Sequence, residues 1–386
     1  MTKHPFFTII SIGGKYSREK IAKNAIEGSE NMQSKRGSEN KAITIYDIAK
    51  EAGVSPATVS RVLTNRAKVS SGKRDRVVKV IEKYNFKPNT FAKGLAETKS
   101  KKIGVLMADV RNPYYASMFV ACETAARSEG YSVILYNFLG DVELEEELLE
   151  RLLDERVDAI ILLGGHADEL VSSMEYVEAV NDVMATTPVV ITGKLDGTQC
   201  NTVRINAMKS MELVMEHLFS LRHEKIAIVG GRMDVLSTYE KVLKYKQCLK
   251  ERGLEIDPGL IGNGGEYDFS SGYEQMNGIF QKGGEPTAVI AINDFAAWGV
   301  IRSIHEHGLE IPGDITLVSY DDTYMAETAE PKLTSVNYNY EEYGKALIST
   351  AIRLIEKDES VPRVRMVEPS LVVRESSAMC RDRKKR

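Results

Sequence analysis

The sequence predicts an α/β protein: an N-terminal three-helix head of helix-turn-helix form, a short linker, and a two-lobed α/β body. Three observations predict it. Between Thr44 and Leu63, apolar residues recur at helical spacing on either side of one glycine. From Lys102 onward, seven short apolar runs alternate with amphipathic stretches. The two regions also differ sharply in charge, which marks them as separate modules.

The 386-residue chain is long enough for two or three domains, each with its own core. Its net charge of −4 is unevenly spread. Residues 1–40 carry 7 Lys and Arg against 4 Asp and Glu, residues 41–101 carry 14 against 5, and residues 102–386 carry 30 against 46. A basic module joined to an acidic body is the electrostatic footprint of a nucleic-acid reader on a soluble sensor or enzyme. No apolar run is long enough to span a bilayer, so no membrane partner is expected. Cys122, Cys200, Cys248 and Cys380 show neither CxxC nor metal spacing, which fits reduced thiols in a cytoplasmic protein.

Residues 1–42 read as a disordered N-terminal extension, polar and poor in large apolar residues after the first few. Lys3 and His4 before PFFTIISIGG faintly resemble an export signal, but the apolar core is short and no small-residue cleavage site follows. A working start at Met32 is the alternative. In TIYDIAKEAGVSPATVSRVL, Thr44 and Asp47 form a capping-box-like helix start, and Ile45, Ile48 and Ala49 share one face. Gly53 permits the turn, Ser55 caps the second helix, and Pro56 sits at its first position, where a missing N–H costs nothing. Val59, Val62 and Leu63 face inward, and Thr58, Ser60 and Arg61 remain as polar groups suited to phosphates and base edges. The same pattern also suits any amphipathic helix pair joined by a glycine. A third helix is expected from Ser70 to Tyr84, with Val77, Val78, Val80 and Ile81 against the first two. Pro88 ends it, and Asn89 caps one further turn, Thr90–Ala96, too short to be stable alone.

The runs IGVLMA, YSVILYN, AIILLGG, PVVITG, KIAIVGG, TAVIAIND and ITLVSYDD read as buried parallel strands. Helices are expected over Tyr114–Ser128, Val142–Glu155, Ser210–Leu221, Ser237–Arg252, Ser270–Gln281 and Phe295–Glu306. So much chain suits two sheets rather than one, with a cleft at the strand carboxyl ends. The lobe boundary is expected near Thr192–Asn206, with the chain crossing back near 320–340.

Catalytic signatures are missing from the sequence. GGHADE, VGGRMD and GNGGEYD are glycine-rich, but none is a phosphate loop or a dinucleotide fingerprint. His305 and His307 stand two apart on a helix and so point to different faces, which disfavours a metal site. Asp321–Asp322, after a strand, suits either catalysis or ligand binding; with no adjacent base or metal set, binding is the better reading. No cofactor is expected.

With these residues in view, the chain from Ala42 to Ser376 resembles the lac-repressor/galactose-repressor family of bacterial transcription regulators. The resemblance rests on the helix pair above, then KPNTFAKGL, RNPYY, EHLFSLRHEKIAIVGG, AINDFAAWG, IPGDITLVSYDD, PKLTSV and LVVRESS in order. It implies a three-helix DNA-binding head, a hinge helix, and a body like a periplasmic binding protein. It also implies a homodimer that binds near-palindromic double-stranded operator DNA and responds to a small-molecule effector. Thr44, Tyr46, Ser55, Thr58 and Ser60 would then contact the sugar–phosphate backbone. Pro56, Ala57 and Arg61 would read bases, Arg61 through a bidentate contact to guanine. Leu95 would wedge into the minor groove, flanked by Ala92 and Lys93, with Asn89 in the same set of DNA contacts. The effector cleft would be lined by Tyr114, Tyr115, Tyr239, Phe269, Asn293, Asp294, Asp321 and Tyr340.

The chain departs from the family where Gly193-Lys194 replaces a frequent Asp-Arg, where Tyr239 replaces a common Arg, and where Thr64 replaces a usual Asn. Loss of the Asp and Arg argues against a simple hexose. An aryl or glycoside ligand, a protein co-regulator, and no effector at all are the alternatives. A leucine-rich tetramerising tail is missing, so a dimer is expected. The divisions are an extension (1–42), a head (43–87), a hinge and linker (88–101), an effector-binding and dimerisation body (102–376) and a basic tail (377–386). A periplasmic-type solute receptor is the rival reading; it requires an export signal and makes no use of a basic head. An enzyme is disfavoured, and a cytoplasmic, nucleoid-associated protein is expected.

Overall fold

The computed structural model describes residues 43–64, 69–86, 99–262 and 264–381. The chain divides between residues 97 and 98 into two compact units. In the first, helices α1 (Ile45–Ala52), α2 (Pro56–Thr64) and α3 (Ser71–Lys83) enclose a small core of Ile48, Ala49, Ala52, Val59, Val62, Val77 and Val80. Gly53 ends α1 in the left-handed region, at φ 63, which lets the chain turn into α2 across Gly53, Val54 and Ser55. Val78 corrects the expectation for the third helix. It is 37% exposed, because the helical period that buries Val77 and Val80 turns position 78 outward.

The second unit holds two parallel-sheet lobes. Lobe 1 contains β1 (Lys102–Met107), α4 (Pro113–Ser128), β2 (Ser132–Asn137), α5 (Val142–Asp154) and β3 (Ala159–Leu163). It continues through α6 (Met174–Met184), β4 (Val189–Ile191) and β5 (Asn201–Ile205). Lobe 2 contains α7 (Ala207–Ser220), β6 (Ile226–Val229), α8 (Leu236–Glu251), α9 (Phe269–Gln281) and β7 (Ala288–Ala291). After these come α10 (Asp294–Glu306), β8 (Thr316–Asp321), α11 (Tyr324–Thr328) and β9 (Thr334–Asn337). The chain then returns through α12 (Tyr340–Ile355) and β10 (Val364–Val367) in lobe 1 and ends with β11 (Ser370–Val372) in lobe 2. The sheet orders are β10-β5-β4-β3-β1-β2 and β11-β9-β8-β7-β6, with only β11 antiparallel.

All seven expected runs are strands, but β2 is only partly buried, because it stands at the edge of its sheet. The structure adds strands β5, β9, β10 and β11 and helices α6, α11 and α12. Strand β10 is an edge with an exposed first residue, so it lacks the continuous apolar run that marks the seven expected strands. The lobes are joined by three crossings, near residues 206, 338–339 and 368–369, rather than the two expected.

Each sheet is covered on both faces. In lobe 1, Ile103, Val105 and Met107 pack with α4 and α12, while Leu106, Ile160 and Leu162 pack with α5 and α6. The alternation along β1 assigns each side chain to one layer. Helix α12 lies close on α4 because Gly344 has no side chain: a Cβ there would stand 2.6 Å from the Ala121 carbonyl carbon. No helix among the described residues is long and apolar enough to cross a membrane.

The C-terminal segment is stitched to lobe 2 beyond the expected body boundary at 376. Leu317 N donates to Ser376 O (2.8 Å), and Cys380 N donates to Leu221 O (2.8 Å). His217 Nε2 lies 2.9 Å from Ser377 Oγ, and His223 Nε2 donates to Ala378 O at 2.9 Å. Burial lowers the pKa of both imidazoles below the ordinary 6.5, the charge of His223 adding to the effect at His217. The unfolded chain therefore binds more protons near pH 6 than the folded one. The stability these groups contribute is complete above pH 6.5 and declines as pH falls through 6.5. The His217→Gln/His223→Gln variant should lose less of its urea midpoint than the parent between pH 7.5 and 5.5. Equal losses in the two proteins would rule this linkage out.

Candidate functional site

Two surfaces carry functional groups, and they lie on different units. In the head, Thr44 caps α1 by a closed box: its N donates to Asp47 Oδ2 (2.9 Å), as does its Oγ1 (2.6 Å), and Asp47 N donates back to Thr44 Oγ1 (3.4 Å). Ser55 caps α2, its Oγ accepting from Thr58 N at 3.3 Å and lying 3.0 Å from Thr58 Oγ1. Pro56, Ala57, Ser60 and Arg61 are exposed along α2, and Tyr46 is 70% exposed on α1. Thr58 is half-buried. Lys50 and Lys73 flank a hollow at the start of α2, lined also by Gly53, Ser55 and Thr58. Cationic side chains around a helix N-terminus, whose N–H groups point outward, suit a phosphate. Lys83 pairs with Glu51 at 2.7 Å and braces α3 on α1. Asn89, Ala92, Lys93 and Leu95 lie outside the described residues.

In the body, the residues expected to line a cleft separate into three groups. The first stands where the lobes meet. Tyr114 and Tyr115 open α4, whose N-cap Asn112 accepts from Tyr114 N at 3.1 Å. The Tyr114 ring contacts Tyr115 edge-on at 5.0 Å, Tyr338 at 6.0 Å and Tyr340 at 6.2 Å, and it packs against the cores of both lobes. The Tyr340 hydroxyl is buried with no partner among the described residues. Burial pushes the hydroxyl pKa of Tyr114, Tyr115 and Tyr340 well up, so all three stay protonated. Tyr239, 39% exposed, lies in the first turn of α8.

The second group is structural. Asn293 caps α10 through Ala296 N (2.8 Å) and donates to Tyr267 O (3.0 Å). Asp294 is buried and fully engaged. Its Oδ1 accepts from Ser319 Oγ (2.6 Å) and Ser335 Oγ (2.8 Å), and its Oδ2 accepts from Thr323 N (2.7 Å) and Thr323 Oγ1 (3.0 Å). Asp321 is also buried, at φ 91, and faces the buried ammonium of Lys241. Burial raises the Asp321 carboxyl and lowers the Lys241 amine, each opposed by the attraction between them. Lys241 donates to Tyr338 Oη at 3.0 Å and lies 4.2 Å from the Tyr320 ring centroid.

The third group is Phe269 alone, and the structure corrects its expected place. Its ring lies over Tyr273 on the outer face of α9, beside a hollow formed with Trp298, Ile301, Arg302, His305 and Glu306. The residue facing inward is Tyr267, two positions earlier, whose Oη lies 2.7 Å from Thr238 Oγ1 and whose ring stands beside Gly231. Phe269 is the first residue of the helix, whereas Tyr267 precedes the N-cap Asp268 and belongs to the segment leading in, so the two side chains are placed by different backbone geometry.

Sequence reasoning also missed Asp168. It ends a tight turn, Gly165–Asp168, at the carboxyl end of β3. The signal was the GGHADE glycine pair. A Cβ at Gly164 would stand 2.4 Å from Tyr115 Oη, and one at Gly165 would stand 2.3 Å from Glu145 Oε2. Gly193 is equally constrained: a Cβ there would stand 2.0 Å from Ala167 O. Lys194 N donates to that same carbonyl at 2.6 Å. The volume that a frequent family aspartate would need is thus filled by backbone. Across the cleft mouth, Leu170 N donates to Asp234 O at 2.6 Å, and Arg204 bridges to Glu240 at 3.0 Å.

These two carboxylates should respond oppositely to truncation. Asp294→Ala strands hydroxyl and amide donors on three elements and should cost about 3–5 kcal/mol of stability in urea unfolding. Asp168→Ala should change it by less than about 1 kcal/mol. Similar losses for the two would contradict this division of roles.

Comparison with known proteins follows the same division. The family model for bacterial regulatory proteins of the lacI family matches residues 44–89, and that for a periplasmic binding protein-like domain matches residues 215–377. Catabolite control protein A of Priestia megaterium is 32% identical over 317 residues, covering 82% of this chain and 92% of that protein. The transcriptional repressor PurR of Haemophilus influenzae (strain PittEE) is 28% identical, covering 86% and 98%. Among solved structures, a lac repressor dimer bound to operator and the anti-inducer ONPF matches with a TM-score of 0.77 at 27% identity, covering 88% of this chain and all of that one. A complex of the transcriptional regulator CelR with cellobiose matches with a TM-score of 0.65 at 26% identity, covering 87% of this chain and all of that one.

Proposed function

This chain belongs to the lacI family of bacterial regulatory proteins, and from that premise we propose that it is a cytoplasmic, non-enzymatic repressor. It binds a near-palindromic operator as a homodimer and is released or retained by a small molecule held between its lobes. The observation that carries this reading is the exposed face of α2, Pro56, Ala57, Ser60 and Arg61, on a head with a large excess of positive charge. Thr44, Tyr46, Ser55, Thr58 and Ser60 position the head on phosphates, while Arg61, Pro56 and Ala57 meet base edges. Leu95, with Asn89, Ala92 and Lys93 beside it, opens the minor groove at the operator centre.

The body supplies the switch. Tyr114, Tyr115, Tyr239 and Tyr340 surround the ligand, and Asn293, Asp294 and Asp321 hold the wall behind it. Ligand binding changes the angle between the lobes of each protomer and hence the spacing of the two hinge segments. Its effect on operator affinity is limited by its differential affinity for the two states; a hundredfold change requires about 2.7 kcal/mol. For the dimer we assign the outer hollow of Phe269, Trp298 and Ile301, rimmed by Arg302, His305 and Glu306. Apolar at its centre and bearing both signs of charge at its edge, it suits a self-complementary twofold contact.

Selection of bound duplexes from a random pool at moderate salt should return one near-palindrome. Recovery of no preferred sequence would remove the regulator reading. On the selected site, Arg61→Ala should cost about 1–3 kcal/mol and flatten discrimination at one base pair of each half-site. Trp298→Glu should shift sedimentation from dimer to monomer while leaving the fold intact by circular dichroism. A dimer that survives this change uses another surface.

A further inference from the structure

The chemistry of the cleft wall indicates the charge of what it holds. Its charged groups are nearly all committed to one another. Arg204 bridges to Glu240 at 3.0 Å, Arg232 to Asp234 at 2.8 Å, and Arg374 to Asp322 at 2.6 Å. Lys241 is spent on Tyr338 and on the field of Asp321, and Asp294 is saturated by four donors. Asp168 is the exception. Its Oδ1 has one long contact, 3.4 Å from Thr192 Oγ1, and its Oδ2 has no hydrogen-bond partner among the described residues. Burial pushes its carboxyl up to about 6, so it is largely ionised at neutral pH with no cation bonded to it.

Its surroundings are aromatic. The turn that carries Asp168 packs on Tyr115, whose Oη stands where a Cβ of Gly164 would lie, and Asp168 Oδ1 lies against Gly193. Burial raises the hydroxyl pKa of Tyr114 and Tyr115 of lobe 1 and Tyr267 of lobe 2, and the charge of Asp168 adds to it at all three. Tyr338 and Tyr340 continue the wall from Tyr114, and the Tyr340 hydroxyl is buried without a partner. A carboxylate among tyrosine faces repels anions, and no described cationic side chain here is uncommitted. A neutral ligand would desolvate Asp168 and return no compensating charge. An ammonium would neutralise it and would also lie against electron-rich rings.

We propose that the ligand of this cleft is a small organic cation, an amine carried on a flat apolar body, with Asp168 as its counter-ion and the tyrosine cluster as its wall. The proposal rests on the reading of the cleft as the effector site. It assigns to Asp168 the discrimination between charged and neutral ligands of one shape, and to Tyr340 a hydrogen bond to the ligand.

The test uses the full-length protein and a matched pair of probes, 2-phenylethylamine and 2-phenylethanol, which share their carbon skeleton and differ in charge. Calorimetry at pH 7.5 should show the amine binding at least about tenfold more tightly than the alcohol. The isosteric Asp168→Asn variant should erase that preference while keeping the parent's unfolding midpoint. If that variant fails to fold, raising salt on the parent protein serves instead: the preference should persist, because an enclosed pair is weakly screened. Equal binding of the two probes, tighter binding of the alcohol, no binding of the amine at millimolar concentration, or a preference unaffected by Asp168→Asn would each overturn the proposal. Operator affinity on the same samples separates the two ideas. Operator binding without amine selectivity removes the cationic ligand and keeps the regulator; amine selectivity that leaves operator affinity unchanged keeps the ligand and removes the regulatory coupling.

Discussion

The carboxylate of Asp294 holds the working end of lobe 2 together. It accepts hydrogen bonds from Ser319 at the end of β8, Ser335 on β9 and Thr323 at the start of α11, while itself opening α10. Four donors converge on one buried anion, so the ends of two strands and the starts of two helices share a single fixed point. A hydrogen bond to an ionised acceptor contributes about 1.5–3 kcal/mol. The adjoining Asp321 and Asp322 both adopt positive φ. Such backbone is costly for a residue with a side chain and persists where surrounding structure over-determines it. The Asp294 network is that structure. It allows Asp321 to turn from the strand end toward Lys241, and Asp322 to receive Asn337 Nδ2 (2.7 Å) and Arg374.

Lobe 1 reaches the cleft by another route, through space left by glycines. Gly164, Gly165 and Gly193 each stand where a Cβ would strike a neighbour, and together they bring Tyr115, Glu145 and the Ala167 carbonyl close to the chain. Behind that turn, Glu145 is buried and accepts from Tyr176 Oη (2.7 Å), His166 N (3.2 Å) and His166 Nδ1 (3.0 Å). The Glu145 carboxylate raises the pKa of His166, as expected of an enclosed pair. Lobe 2 thus fixes its strand-end face with a polar hub, and lobe 1 fixes its own by close packing over a braced turn. Tyr114, whose ring belongs to the cores of both, joins the two.

The division of charge between head and body follows from their different partners. A module that meets phosphates gains from a surplus of Lys and Arg, which releases counterions on binding. A body with two parallel sheets needs no such surplus; its 30 Lys and Arg are outnumbered by 46 Asp and Glu, and some stand in pairs such as Arg302–Glu306 and Lys209–Glu212. Surface pairs of this kind add little stability. The excess of acids over bases in the body leaves the head as the cationic part of the molecule.

The sequence by itself determined the α/β class, the three-helix head with its caps, the seven strands written as apolar runs and the family. Each of these is written in local period or local chemistry: apolar residues every third or fourth position, continuous β-branched runs, Thr44 three residues before Asp47, a proline at the first turn of α2. Tertiary structure decided what depends on residues far apart in the chain. Strands β5 and β10 pair in lobe 1 although about 160 residues separate them, and the third crossing exists because of that pairing. Phe269 and Tyr267 differ by two positions, and only the start of α9 settles which of them turns inward. Asp294 and Asp168 are the same side chain, yet one is saturated by hydroxyls from distant strands and the other stands among tyrosines with an oxygen to spare. Burial and the identity of partners decide what a carboxylate does, and neither is a property of its immediate sequence.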